Sequence, residues 1–309
     1  MTEARHFLVV AHTGRRTALE ATGEVCAQLL EAGAVPVIAT EHWDDVHEFV
    51  PSLNGRVKRF ESIDPATIEL VIVLGGDGTI LRAAELMREY TAPLLGVNLG
   101  HVGFLAESER DDLGYTITRA LAREYTVEER MTLSVRVKSG ADVVYESWAL
   151  NEATVEKAER ERMLEVVIEV DRRPLSSFGC DGVVMSTPTG STAYSFSAGG
   201  PVVWPSLEAL LLVPLSAHAL FARPLVVGPD SSLAVEVLHR TEAAAVLWCD
   251  GRRMFDLPSG ARVIVRKSPV PVRLARIHEA PFTDRLVNKF DLPVTGWRGP
   301  VGRDEANDD

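Results

Sequence analysis

The sequence predicts an α/β domain with a parallel sheet, followed by a β-rich domain. Three observations carry this: apolar runs alternating with helical patterns up to about residue 127, short alternating runs beyond it, and a helical pattern returning near the C-terminus. In order, His6–Ala11 reads as a buried strand. Thr17–Ala32 carries apolar residues at helical spacing and stops at Gly33, a C-cap residue. Val35–Ala39 is a second strand, Leu70–Leu74 the clearest one, and Leu94–Val97 the next. Between the last two, Ile80–Tyr90 has a helical pattern that Pro93 closes. From about Arg130 the texture changes to Leu133–Val137, Leu164–Val170, Ala234–Leu238 and Arg262–Arg266, separated by Asp, Gly and Pro. Phe282–Phe290 reads as helix, in a tail expected to pack back on the first domain. The division expected is therefore 1–127, 128–272 and 273–309.

A chain of 309 residues is long enough for two cores, and 46% hydrophobic with 25% charged residues is ordinary for a globular protein. A formal charge of −12 argues against a binder of nucleic-acid backbones, which needs a field that attracts polyanions. A nucleotide must then be held by local donors. The early apolar stretch at Phe7–Ala11 is too short for a secretory signal, and Ala209–Leu215 is too short to span a bilayer. Cys26, Cys180 and Cys249 match no metal or disulfide spacing, so a reduced, cytoplasmic protein without membrane partners is expected.

The strongest chemical signal is Gly75-Gly76-Asp77-Gly78-Thr79, between the clearest strand and a helix. A helix N-terminus offers unpaired N–H groups and a positive dipole end to an anion, and glycines let backbone approach phosphate. Asp77 there suits proton acceptance from an attacking hydroxyl or a part in holding a metal-bound phosphate; alternatively it simply caps the helix. The loop Gly96–Leu105 follows the next strand at the same sheet edge. In it Asn98 suits a ribose or phosphate and Phe104 a base, while a glycine turn with a core phenylalanine reads equally well. Asn151-Glu152 pairs an amide with a carboxylate, a combination fit for two neighbouring hydroxyls, although alone the dipeptide reads better as a solvent-facing turn. Asp181–Pro201 interleaves Ser186, Thr187, Thr189, Ser191, Thr192, Ser195 and Ser197 with glycines and Tyr194, which suits a base plus sugar hydroxyls. Arg160, Arg162 and the Cys249–Arg253 segment offer arginine forks for phosphate, but each reads first as solvated charge.

Taken in order, Gly75–Thr79, Asn151-Glu152, Thr187–Tyr194 and the Ser-rich stretch ending at Gly199-Gly200-Pro201 resemble the NAD kinase family over roughly residues 70–255. The ending Ala280–Leu286 through Leu292–Arg298 is similar to the actinobacterial branch. The resemblance implies a Rossmann-like first domain, a β-rich, sandwich-like second one, an active site between them and a homodimer or homotetramer. It further implies Asp77 as general base toward the adenosine 2′-hydroxyl of NAD, with Gly75, Gly76, Gly78 and Thr79 against phosphates. Asn151 and Glu152 would hold the adenosine ribose. Thr189, Thr192, Ala193, Tyr194, Ser195, Phe196 and Ser197 would surround adenine and ribose, and Asp181 would reach the nicotinamide end. Arg82, Phe104, Arg162, Ser216 and Arg252 complete the NAD set, and ATP or polyphosphate with a divalent metal such as Mg2+ would be the donor. Gly179 departs from relatives that carry a basic side chain there, and Arg252 from those with a shorter polar one.

Two other readings remain at this point. Lipid kinases and phosphofructokinases also use a Gly-Gly-Asp-Gly-Thr turn, but without this Thr-Ala-Tyr segment. A dehydrogenase or NAD sensor would need the G-x-G-x-x-G pattern, which is missing.

Overall fold

The computed structural model describes residues 4–100, 103–106, 108–159, 162–239, 244–277 and 281–294. The chain divides into two compact units, one from Met1–Val127 with Ala275–Asp309, the other Glu128–Leu274.

The first unit begins with β1 (His6–Ala11), α1 (Arg16–Glu31), β2 (Val35–Ile38), α2 (Trp43–Phe49) and β3 (Lys58–Arg59). It continues with β4 (Ile68–Leu74), α3 (Asp77–Leu86), β5 (Leu94–Asn98), β6 (Ser108–Glu109), α4 (Leu113–Leu121) and β7 (Thr126–Arg130). Pairing of β1 with β2 and β4, and of β4 with β5, is parallel. A parallel sheet is buried on both faces, which is why Leu70–Leu74 is wholly apolar and fully buried. From β1 the chain steps outward through β2 to β3, then returns to the opposite side of β1 with β4 and β5. The reversal between β1 and β4 is where open α/β sheets collect ligands, at the strands' carboxyl ends. Gly75 follows β4 at that end.

The second unit contains β8 (Leu133–Ser139), β9 (Asp142–Ala149), β10 (Glu152–Lys157), β11 (Leu164–Val170), β12 (Arg173–Cys180) and β13 (Gly182–Ser186). After a short α5 (Tyr194–Ser197) come β14 (Leu210–Leu215), β15 (Leu225–Val227), β16 (Leu233–Val237), β17 (Ala245–Cys249), β18 (Arg253–Leu257) and β19 (Arg262–Lys267). They form two sheets, β15-β14-β13-β10-β17-β18 and β12-β11-β16-β19-β8-β9. Alternate residues of both, such as Leu133, Val135 and Val137 from one and Val155, Met185 and Leu247 from the other, share a single core. That is a sandwich.

Two elements return to the first unit's sheet and helices. Strand β20 (Val272–Arg276) lies between β5 and β7, and α6 (Phe282–Phe290) follows it. The helix matches the expected span. The strand corrects the sequence reading, which gave this stretch no element: its Val272, Leu274 and Ala275 are buried among strands far away in the sequence.

Candidate active site

Helix α3 starts at Asp77 rather than after Thr79, with Gly76 in the cap position and no side-chain cap. Asp77 is therefore not the N-cap. Its carboxylate turns instead to the loop after β5, where Oδ2 accepts from Phe104 N–H at 3.1 Å and Oδ1 from Leu105 N–H at 3.0 Å. A Cβ on Gly103 would stand 2.5 Å from Asp77 Oδ1, so the loop passes this close only because residue 103 is glycine. Held through both oxygens and half-exposed beside a helix N-terminus, the carboxylate keeps lone pairs for a further donor.

For Phe104 the structure favours the core alternative over a face open to a base. The residue is 7% exposed and its ring packs against Phe282 and Phe290 at 5.9 Å each, while its backbone N–H bonds Asp77. Asn98 Oδ1 accepts from Gly100 N–H at 3.2 Å. Arg82 pairs with Glu41 at 2.6 Å.

In the second unit Asn151 and Glu152 are not a solvent-facing turn; they are 9% and 7% exposed, at the junction of β9 and β10. The cause is Asp250, whose carboxylate accepts from Leu150 N–H at 3.0 Å and Asn151 N–H at 2.7 Å. Asp250 is itself buried and braced by Arg253, whose Nη2 donates to it and to the Trp148 carbonyl, both at 2.8 Å. From the other side Thr187 Oγ1 donates to the Leu150 carbonyl at 2.6 Å and accepts from Gly190 N–H at 3.0 Å. A Cβ on Gly190 would overlap the Asn151 carbonyl. This network brings Asn151, Glu152, Thr189 and Tyr194 together, with the Tyr194 backbone N–H bonded to Glu152.

Burial pushes the Glu152 carboxyl up to about 8; nearby Asp250 acts the same way and the Tyr194 N–H opposes both. Burial likewise raises Asp250, against the Leu150 and Asn151 N–H groups and Arg253. Glu152 at neutral pH is thus largely the neutral acid, a donor as well as an acceptor, rather than the carboxylate the sequence reading assumed. Its Oε2 is buried without a hydrogen-bond partner, an unusual state for a polar atom and one a sugar hydroxyl would relieve.

Asp181 sits at the opposite end of β13 from Thr187, roughly 20 Å away at about 3.3 Å per residue. Lys157 Nζ lies 2.5 Å from its Oδ1 and holds the carboxyl below the usual range, helped by a hydrogen bond from Ser216 and by His218. Tyr194, Phe196 and Ser197 are exposed, Ser195 is buried, and Thr192 and Ala193 are half-buried. Arg162 and Arg252 are exposed, and Arg160 lies outside the described residues. Arg253, read as solvated charge, is instead structural. Sequence reasoning singled out the Cys249–Arg253 segment but missed the bracing roles of Asp250 and Arg253, and it did not single out Lys157; the Asp-Gly turn joining β17 to β18 was the available signal for Asp250.

A glycine-flanked carboxylate at a parallel sheet's switch point in one unit, and a buried acid beside an amide on the β-sandwich of the other, are features that suit a nucleotide-handling phosphotransferase. Comparison with known proteins agrees. Residues 7–125 match the model of the ATP-NAD kinase N-terminal domain and residues 150–277 that of the C-terminal domain. The NAD kinase of Leifsonia xyli is 72% identical over 98% of this chain and all of its own, and that of Thermobifida fusca 58% over 96% and 93%. Among solved structures, an NAD kinase from Archaeoglobus fulgidus in complex with ATP is 27% identical, with TM-score 0.64 over 83% of this chain and 98% of its own. Yeast NADH kinase complexed with NADH shares the fold, with TM-score 0.85 over 96% and 89% at 21% identity. The chain belongs to the NAD kinase family and is a phosphotransferase.

Proposed function

We propose that this enzyme transfers the terminal phosphoryl group of ATP, or of another donor such as polyphosphate, to the adenosine-ribose 2′-hydroxyl of NAD, giving NADP. The observation that carries the reading is the Asp77 carboxylate, fixed through both oxygens by Phe104 and Leu105 N–H beside the α3 N-terminus. In the proposed step the hydroxyl gives its proton to Asp77 as its oxygen bonds to the γ-phosphorus. The bond to the leaving β-phosphate oxygen breaks, and ADP departs with that electron pair. Gly75, Gly76, Gly78 and Thr79 present backbone and a hydroxyl to phosphate. A divalent ion such as Mg2+ would be carried by the phosphates of the donor and would supply charge neutralisation there.

Adenosine recognition falls to the second unit. Glu152, with its unpartnered Oε2, and Asn151 bond the ribose hydroxyls, and Thr189, Thr192, Ala193, Tyr194 and Ser195–Ser197 flank the base and sugar. Asp181 takes the carboxamide end, and Ser216 holds Asp181. Arg82, Arg162 and Arg252 remain assigned to NAD; the proposal gives Phe104 a backbone role only. Self-association as a dimer or tetramer is supported by exposed Trp204, Leu207, Leu220 and Phe221 in one stretch of the second unit. A reducing, cytoplasmic setting fits three cysteines held as buried thiols.

The test incubates pure protein and magnesium with NAD and either ATP or polyphosphate, and reads NADP with a dehydrogenase specific for the 2′-phosphate. NADP with at least one donor is the expected result; phosphorylated NAD that this dehydrogenase ignores would place the phosphate elsewhere.

A further inference from the structure

The loop that holds Asp77 is itself held from behind. Arg285, on α6, donates from Nη1 to the Phe104 carbonyl at 2.9 Å and to the Ala106 carbonyl at 3.1 Å. Arg276, at the end of β20, donates from Nη1 to the Leu105 carbonyl at 3.1 Å. The Phe104 ring is packed by Phe282 and Phe290 from the same helix. One peptide unit stands out. The carbonyl of Phe104 and the N–H of Leu105 belong to the same peptide group, so Arg285 bonds its oxygen while its hydrogen bonds Asp77 Oδ1.

We infer that Arg285 is a positioning residue for the phosphoryl transfer, acting on Asp77 through the Phe104–Leu105 peptide, and that α6 is thereby part of the catalytic apparatus. The inference rests on Asp77 being the base. A cation on a carbonyl polarises the peptide and strengthens its N–H as a donor, so the contact to Asp77 is both aimed and tightened. Without Arg285 the Phe104 and Ala106 carbonyls lose a charged donor, and the loop loses what fixes the angle of its two N–H groups. Small misplacement of a reacting group can cost about 100-fold in rate. Substrate binding has no reason to change, because Arg285 acts on a carboxylate whose part is in the chemical step.

The experiment is a double-mutant cycle on kcat with Arg285→Ala, Asp77→Asn and the double variant, all in the full-length chain. In the parent background Arg285→Ala is expected to lower kcat roughly 10- to 100-fold with KM for NAD within about twofold, and Arg285→Lys to recover most of the loss. In the Asp77→Asn background the same replacement should change the residual kcat by less than about twofold, since the group it positions is gone. If the alanine protein does not fold, Arg285→Lys carries the same cycle with a smaller loss. Equal losses in both backgrounds, or an unchanged kcat in folded Arg285→Ala, would overturn the inference. Near-normal turnover in Asp77→Asn alone would instead remove the base assignment on which it rests.

Discussion

Two carboxyl groups of this protein are handled in opposite ways. Asp77 in the first unit is half-exposed, at a helix N-terminus, with both oxygens on backbone N–H groups. Glu152 in the second is buried near a second acid, is pushed up to about 8, and has one oxygen unpartnered. The first environment gives the carboxylate two backbone donors and leaves it half-exposed; the second favours a neutral acid that can give and take hydrogen bonds. Residue type alone does not separate these roles. Burial and the donors supplied by neighbouring backbone do.

The largest effect that would sharpen this contrast concerns stability against pH. A folded-state value near 8 against an ordinary 4.5 means the native protein holds a proton that the unfolded chain gives up. The stabilisation is complete below about pH 4.5 and is lost as pH rises toward 8. Glu152→Gln, which cannot ionise, should escape that loss, on the order of a few kcal/mol. Thermal melts from pH 5 to 9 should show the parent losing Tm relative to the variant; parallel curves would mean Glu152 is ionised in the folded protein.

A smaller effect is expected at the other end of β13. Asp181 accepts the carboxamide N–H2 in the proposed complex, but it is also paired with Lys157. Asp181→Ala removes the acceptor and leaves the ammonium, which attracts the carboxylate of nicotinic acid adenine dinucleotide. The preference for NAD over that analogue, read as a kcat/KM ratio, should narrow by about 10-fold, the scale of one lost or unpaired polar contact. An unchanged ratio would show that Asp181 does not read this end.

Much of the fold was legible because its signals are local. The uninterrupted Leu70–Leu74 run reads most clearly as a strand covered on both faces, and Phe282–Phe290 held its helical period. What escaped depends on contacts distant in the chain. Strand β20 acquires its meaning from β5 and β7, and Asp250 reaches Leu150 and Asn151 across 100 and 99 residues. The polar letters of Asn151-Glu152 pointed to solvent because nothing beside them announces the acid that satisfies their backbone. Arg285 was equally silent, 181 residues from the carbonyl it holds. Glycines, by contrast, carried usable information in advance: the turn after β4 could be read as a close-approach site before any contact was known.

The central claim, that Asp77 serves the chemical step and Glu152 serves recognition, is tested most directly by comparing steady-state kinetics of Asp77→Asn and Glu152→Gln at neutral pH. The account predicts a fall in kcat of about 10²–10⁴ for Asp77→Asn with NAD affinity kept, and for Glu152→Gln a change mainly in KM with kcat within about tenfold. The reverse pattern, with turnover surviving at Asp77 and collapsing at Glu152, would contradict it.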